Sequence, residues 1–400
     1  MSTTPVPSAA APPHYALRIW LFFAGYFLFG GISVPFYPVW LQAQGLSEVQ
    51  IANVIALPAV VRVLLTPFAG VFADRAPNRR FAAICFTAPA MFVFLLAWPL
   101  RDYWPLLLIT AVSFTLWGLA LPVGEALALT GVRRFKLDYG RMRIGGSIAY
   151  IVANLGSGAL LGIFHVEALF WFLIAALGSS ALVSMTLPVT PRAVRALDDA
   201  SRPVPQRARD VLGHPGFLAL VLAGGLIQAS HAMLYGFGSI HWRSLGFSGI
   251  DIGIFWATGV VCEISLFVVS TRVVRLIGPL GLIAVGGVIA IIRWSLLATD
   301  PGFFGVFGLQ MLHAFTFAAT YLGNQHAIAR VVPEEMTASA QAIYGSSNAI
   351  LTAAATAASG PLYEAFGAEA FLAMTVPAAV ALLIVAVFAW LSPKAHGVRA

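Results

Sequence analysis

Long apolar stretches separated by short polar gaps run the length of this chain. They lie at about 16–41, 48–72, 81–100, 104–131, 141–164, 166–188, 215–240, 250–272, 277–298, 302–329, 335–360 and 368–391, and each reaches or exceeds the ~20 residues a helix needs to cross a bilayer. Gly and Pro recur inside them, as membrane helices allow. The longest polar gap holds PRAVRALDDASRPVPQRARD and has no apolar periodicity. It divides twelve expected helices into two sets of six. The expected organisation is therefore a disordered tail over 1–15, a six-helix bundle over 16–188, a linker over 189–214, a second bundle over 215–392 and a short tail over 393–400.

Charge fixes an orientation. Nearly all of the 23 Lys and Arg fall in alternate gaps, with Arg101 and Arg243 on the other side and Arg62 and Arg293 inside helices. By the positive-inside rule the basic gaps, the linker and both termini are cytoplasmic.

Composition agrees with this pattern. Of 400 residues, 60% are hydrophobic and 10% charged, and mean hydropathy is +0.87. A soluble domain carries roughly 25% charged residues. The net charge of +7 belongs to the gaps and does not indicate nucleic acid. Cys85 and Cys262 both fall in apolar segments, which argues for free thiols over a disulfide framework. The first apolar run lacks a good cleavage signal, so it reads as a retained helix. The histidines are scattered singly. That argues against a membrane-embedded enzyme, and no cofactor or metal is expected.

In the first half the chemistry centres on Pro122–Tyr150, PVGEALALTGVRRFKLDYGRMRIGGSIAY. Glu125 lies nine residues before Arg134 and Arg143 nine after it. A tight hairpin centred there would set carboxylate and guanidinium at one depth on neighbouring helices, where each satisfies the other. The alternative is that Arg143 snorkels to the surface and Glu125 is a neutral packing acid. Arg62 lies twelve residues before Asp74, roughly 18 Å into the bilayer at ~1.5 Å per residue. It invites an anionic substrate or an acidic partner on another helix. Between helices two and three lies GVFADRAPNRR, in which Asp74 can cap a helix start while Arg79 and Arg80 bond helix ends.

The second half carries its own ionisable groups. His231 and Tyr235 share a face at i,i+4, and Trp256 and Glu263 share another at i,i+7. Arg293 and His313 are each ten residues from Phe303, so a hairpin makes them level. Glu263, Arg293 and His313 then form a polar cluster, one residue per helix. The tracts GSGALLG and TAAATAASG lie in apolar spans with no strand before them and read as close helix packing.

These residues carry a family resemblance. Gly70, Asp74, Arg75, Arg79 and Arg80 resemble the loop signature of the major facilitator superfamily, one residue longer here, with Pro77-Asn78 where a Gly is typical. PVGEA, the following Arg133-Arg134 and YGRMR resemble lactose permease-type sugar symporters, as do Glu263, Arg293 and the LHAF of His313. That resemblance implies sugar-binding positions at Glu125, Arg143 and Glu263, and proton coupling at Arg293 and His313. The sugar symporters carry a Glu where this chain has Thr316 and a Lys where it has Gln310, so their proton relay does not transfer whole. VPFYPVWLQAQGLSEVQI, LPAVVRVLLTPFAGVFADR, SHAMLYGFGSIHWRSLGFS and LHAFTF resemble the phenylpropionate permease family.

The expectation is an all-α membrane protein of the major facilitator fold, a monomer that moves a small molecule together with protons. The substrate expected from the resemblance is a small aromatic carboxylate like 3-phenylpropionate. Its binding residues would be Arg62, Glu125, Arg143, His231, Tyr235 and Trp256. Glu263, Arg293 and His313 would couple protons, and Gly70, Asp74, Arg75, Arg79 and Arg80 would form a cytoplasmic gate. The alternatives are a sugar or nucleoside symporter, or a drug exporter of the same superfamily.

Overall fold

The structure, a computed structural model, describes residues 11–189, 213, 215–332 and 336–391. Most of the expected linker and N-terminal tail, all of the C-terminal tail and the basic residues Arg192, Arg195, Arg202, Arg207, Arg209, Lys394 and Arg399 lie outside the described residues. Within them the secondary structure is helical, with no strand. The long helices are α1 Tyr15–Ala43, α2 Glu48–Arg75, α3 Arg79–Leu95, α4 Tyr103–Phe135, α5 Tyr139–Leu161 and α6 Ala168–Thr186. They continue with α7 Pro215–Ser244, α8 Gly249–Val268, α9 Pro279–Leu297, α10 Phe303–Val331, α11 Thr337–Phe366 and α12 Thr375–Leu391.

Several expected helices differ in length: the eleventh runs on to Phe366, and the twelfth starts only at Thr375, after the tighter 3-10 segment Gly367–Met374. The third, expected to reach residue 100, stops at Leu95. Pro99 disfavours helical backbone at Trp98, and the last carbonyls are met by tight turns, Ala97 N–H to Phe94 and Trp98 N–H to Leu95. The eighth, expected over 250–272, breaks at Val269. A separate amphipathic helix, Ser270–Ile277, carries Arg272 and Arg275. Two helices contain a wider π turn, Leu234–Gly238 in α7 and Ala314–Ala319 in α10. Such turns occur mostly as single insertions in α-helices, often at functional sites.

Contacts divide the chain into two compact units. The first gathers α1, α2 from Val61 onward, and α3–α6. The second gathers Leu46–Val60, the opening half of α2, with α7–α12. In the first unit α1 lies along α5 and α6, while α3 lies along α4 and α6. The second repeats the scheme six helices later: α7 lies along α11 and α12, and α9 along α10 and α12. Internal repetition of this kind is common among secondary transporters. Each unit has its own apolar centre. In the first, Phe22, Phe23, Leu127 and Met142 are buried together.

The outer faces are apolar too. Phe68, Trp104, Leu276, Phe304 and Trp390 are each more than two-thirds exposed. In water such faces would aggregate, and in a bilayer they meet their own kind. Trp98, Tyr103, Trp104 and Trp171 gather around the α3–α4 turn, as aromatic residues do at a membrane–water boundary.

Candidate functional site

The first unit builds its polar site from a hairpin. α4 ends where Lys136 takes a left-handed conformation (φ 56°), and α5 begins beyond Asp138, whose carboxylate accepts the Arg141 amide N–H at 2.8 Å. The short connection brings Glu125 and Arg143 level. Arg143 Nε lies 3.6 Å from Glu125 Oε1, and the Tyr139 hydroxyl donates to Glu125 Oε2 at 2.8 Å. The Arg143 guanidinium lies over the Phe27 ring at 4.1 Å and the Phe23 ring at 5.1 Å. Cation–π contact of this kind holds the cation while leaving its edge free to bond. The two side chains are 28% and 30% exposed, so solvent or a ligand can reach the pair and its attraction is screened.

Arg62 enters the same unit from α2. A Cβ on Gly118 of α4 would come 2.8 Å from Arg62 Cδ and 2.9 Å from its Nη1. The guanidinium thus lies directly against the α4 backbone, and a side chain at Gly118 would push it away. Among the described residues Arg62 has no ion pair. Next to Gly118, Trp117 stacks on Tyr26 at 4.3 Å and 10°, and Tyr26 packs edge-on against Phe27. Arg62 and Arg143 thus both border one aromatic patch of Tyr26, Phe27 and Trp117.

The loop between α2 and α3 differs in detail from its expected role. Asp74 lies inside α2 and does not cap α3. The cap is Asn78, whose side-chain oxygen accepts the Phe81 N–H at 2.9 Å; the extra residue before the paired arginines moves the cap past Asp74. Arg79 donates to Thr130 Oγ1 at 2.9 Å and the Ala126 carbonyl at 3.2 Å, near the end of α4. Arg80 donates to the Leu187 carbonyl just beyond α6. Arg75 closes the last turn of α2, where a cation suits the helix dipole. A Cβ on Gly70 would meet nothing within 4 Å.

In the second unit Arg293 is fully buried. Its Nε donates to the Leu309 carbonyl at 2.9 Å, its Nη1 to Thr316 Oγ1 at 3.1 Å, and its Nη2 to Gln310 Oε1. Nη1 also faces His313 Nδ1 at 3.3 Å, and the guanidinium lies over the Trp294 ring at 4.7 Å. All these partners are neutral, and among the described residues no ion pair reaches Arg293. Because His313 Nδ1 faces a donor, it must accept, so the ring proton sits on Nε2. That nitrogen is 3.9 Å from Glu263 Oε2.

His231 is fixed by the same reasoning. Its Nδ1 faces the Ile227 and Gln228 carbonyls, each at 3.1 Å, so it carries the proton. Its Nε2 therefore accepts from the Thr316 hydroxyl at 3.0 Å. A directed chain results, from Arg293 through Thr316 to His231. Tyr235 stacks between His231 and Trp256, 5.8 Å and 5.9 Å away. Trp256 does not join Glu263; its indole N–H donates to Ser239 Oγ at 2.9 Å.

Sequence reasoning missed Gln310 and Thr316 as partners of Arg293, although both lie three residues from His313. It also missed His241, whose Nε2 lies 2.7 Å from Asp300 Oδ1 and Nδ1 3.0 Å from the Tyr363 hydroxyl. This contact joins α7, the α9–α10 turn and α11. No spacing along the chain signals it.

Residues 14–373 match the MFS_1-like family. The chain belongs to that family. It is a transporter and not an enzyme. Over 374 residues the transporter is 29% identical to a protein of Escherichia coli (strain K12) described as "Probable 3-phenylpropionic acid transporter", covering 90% of this chain and 94% of that one. It is 24% identical to the maltose permease of Geobacillus stearothermophilus over 81% of each chain. The crystal structure of the nucleoside transporter NupG superposes with a TM-score of 0.76 at 14% identity, over 94% of the transporter and 98% of NupG. At that identity the likeness speaks for the fold alone. The transporter is thus a multi-pass membrane protein acting on small molecules. No group of three or more potential metal ligands occurs among its described residues.

Proposed function

We propose that the transporter imports a small aromatic carboxylate together with protons, by alternating access, across the cytoplasmic membrane of a bacterium, with both termini inside. The observation that carries this reading is Arg143, held over Phe27 and Phe23 and only loosely paired, at 3.6 Å, with Glu125. A guanidinium on an aromatic wall offers both halves of an aromatic acid what they need: a charged donor for the carboxylate and a face for the ring. Arg62, bordering the same aromatic patch, is a second cation for the carboxylate.

Glu125 makes the site proton-dependent. While ionised it competes with the substrate for Arg143. A proton on Glu125 removes that competitor and balances the incoming negative charge. In the second unit, Glu263 faces the Nε2–H of His313. Protonating Glu263 removes the charge that holds this ring, and His313 is tied to Arg293 and through Thr316 to His231. Proton binding therefore changes a network spanning α7, α8, α9 and α10, which is the kind of differential contact that shifts a conformational equilibrium. The 29% identity to the protein described as "Probable 3-phenylpropionic acid transporter" supports the substrate class.

The test uses proteoliposomes with an imposed inside-alkaline pH gradient and labelled 3-phenylpropionate, maltose and uridine. The expected result is accumulation of 3-phenylpropionate alone, abolished in Glu263→Gln. Uphill uptake surviving in Glu263→Gln would overturn the coupling assignment, and accumulation of maltose or uridine in its place would overturn the substrate class.

A further inference from the structure

The polar face of α10 does not end at the Arg293 network. Thr320 and Asn324 continue it, both fully buried. Thr320 faces α9, where a Cβ on Gly286 would fall on its hydroxyl. Asn324 faces α7, where a Cβ on Gly224 would fall on its amide. Thr316, by comparison, reaches Arg293 of α9 and His231 of α7. All three residues therefore look toward α7 and α9. In an unbroken α-helix, residues four apart drift by about 40° per step. The π turn Ala314–Ala319 widens the helix between Thr316 and Thr320 and offsets that drift, so one face is kept.

These groups lack full hydrogen bonds to the protein. Thr320 Oγ1, Asn324 Oδ1 and Nδ2, the Tyr344 hydroxyl and Asn348 Oδ1 are all buried and make no hydrogen bond among the described residues. Tyr344 and Asn348 stand one turn apart on α11. The Tyr344 hydroxyl and the Asn324 side chain interact weakly, short of full hydrogen-bond geometry, and the Asn348 Cα is 4.0 Å from the Cβ position of Gly225. Unmet polar atoms inside a membrane protein are costly, and buried groups of this kind normally hold ordered water. Hydroxyl, phenol and carboxamide groups each donate and accept, as a bridging water requires.

We infer that Thr320, Asn324, Tyr344 and Asn348 line a file of ordered water that runs from the His313–Glu263 pair along α10 toward Arg330, and that the coupled proton leaves by it. The proton leaves the pair, passes from water to water along the file, and is released to the solution at the Arg330 end. The water file stands on the unmet polar atoms; its use by the proton rests on the coupled-transport reading above.

Two measurements separate these parts. The first is hydroxyl-radical footprinting of the purified protein by X-ray radiolysis, which oxidises buried side chains next to bound water. Tyr344 is expected to be modified at least fivefold faster than Tyr37, which is as thoroughly buried, and Thr320→Val combined with Asn324→Leu should remove the difference. Equal rates for Tyr344 and Tyr37 in the wild type would overturn the water file, whatever the protein transports. The second compares gradient-driven accumulation of 3-phenylpropionate with its counterflow, which needs no net proton movement. Thr320→Val and Tyr344→Phe should each slow accumulation about tenfold and leave counterflow within twofold. Both activities falling together, or neither falling, would overturn the exit role. Counterflow without accumulation in the wild type would instead overturn coupling itself.

Discussion

Arg293 shows how a cation can be kept inside a membrane bundle by neutral acceptors. Its donors go to the Leu309 carbonyl, Gln310 and Thr316, with His313 beside them. Charge-assisted bonds to neutral acceptors are stronger than ordinary ones, and a buried donor left unmet costs the full desolvation of its group. Gln310→Leu keeps the volume and removes one acceptor, so a loss of about 1.5–3 kcal/mol is expected. A thermal melt of the purified protein, followed by thiol-reactive fluorescence, should show a lowered midpoint; an unchanged one would mean the Gln310 contact carries no stability. In the sequence, Gln310 and Thr316 look like losses, because sugar symporters carry charges at those positions. The missing information is spatial. Position 316 is read correctly only once α7 and α9 flank it with His231 and Arg293.

At the scale of elements, the α4–α5 hairpin was legible because its ends are made by local chemistry. Nine-residue spacing on either side of Arg134 put Glu125 and Arg143 level, and the structure brings them to 3.6 Å. The stop at Lys136 and the cap at Asp138 set that register. Asp138→Ala should cost α5 about 1 kcal/mol at its first turn. Hydrogen exchange should then quicken at the amides of Tyr139–Met142 while the middle of α5 holds its rate; unchanged exchange would show that tertiary packing alone fixes the start of α5. The π turns in α7 and α10 were not legible. Gly236 and Gly238 hint at one of them, but AFTFAA carries no local breaker.

For the whole molecule, hydropathy and charge make one joint prediction. If the basic gaps face the cytoplasm, a cysteine at Asp102→Cys should react with an impermeant maleimide added to intact cells. One at Lys136→Cys should react only after permeabilisation. The native Cys85 and Cys262 sit half-buried in apolar helices and provide a low background. Labelling in the reverse order would invert the topology and with it the direction assigned to proton entry. The same scale holds a division that helix counting does not reveal: the opening half of α2, Leu46–Val60, groups with α7–α12, and Ala52 packs against Gly360 of α11.

The sequence by itself determined that the chain is a bundle of membrane helices, where those helices lie, and which ionisable groups sit inside them. It could do so because a bilayer imposes length, hydropathy and charge on each segment separately, and each segment carries its own record of them. Only the tertiary structure decided the meetings beyond the two hairpin pairs, Glu125 with Arg143 and Arg293 with His313: Thr316 with both Arg293 and His231, His241 with Asp300 and Tyr363, Asn324 against Gly224. Those pairings depend on the rotation of each helix about its axis, which is fixed by neighbours distant in the chain and leaves no period in the sequence to read.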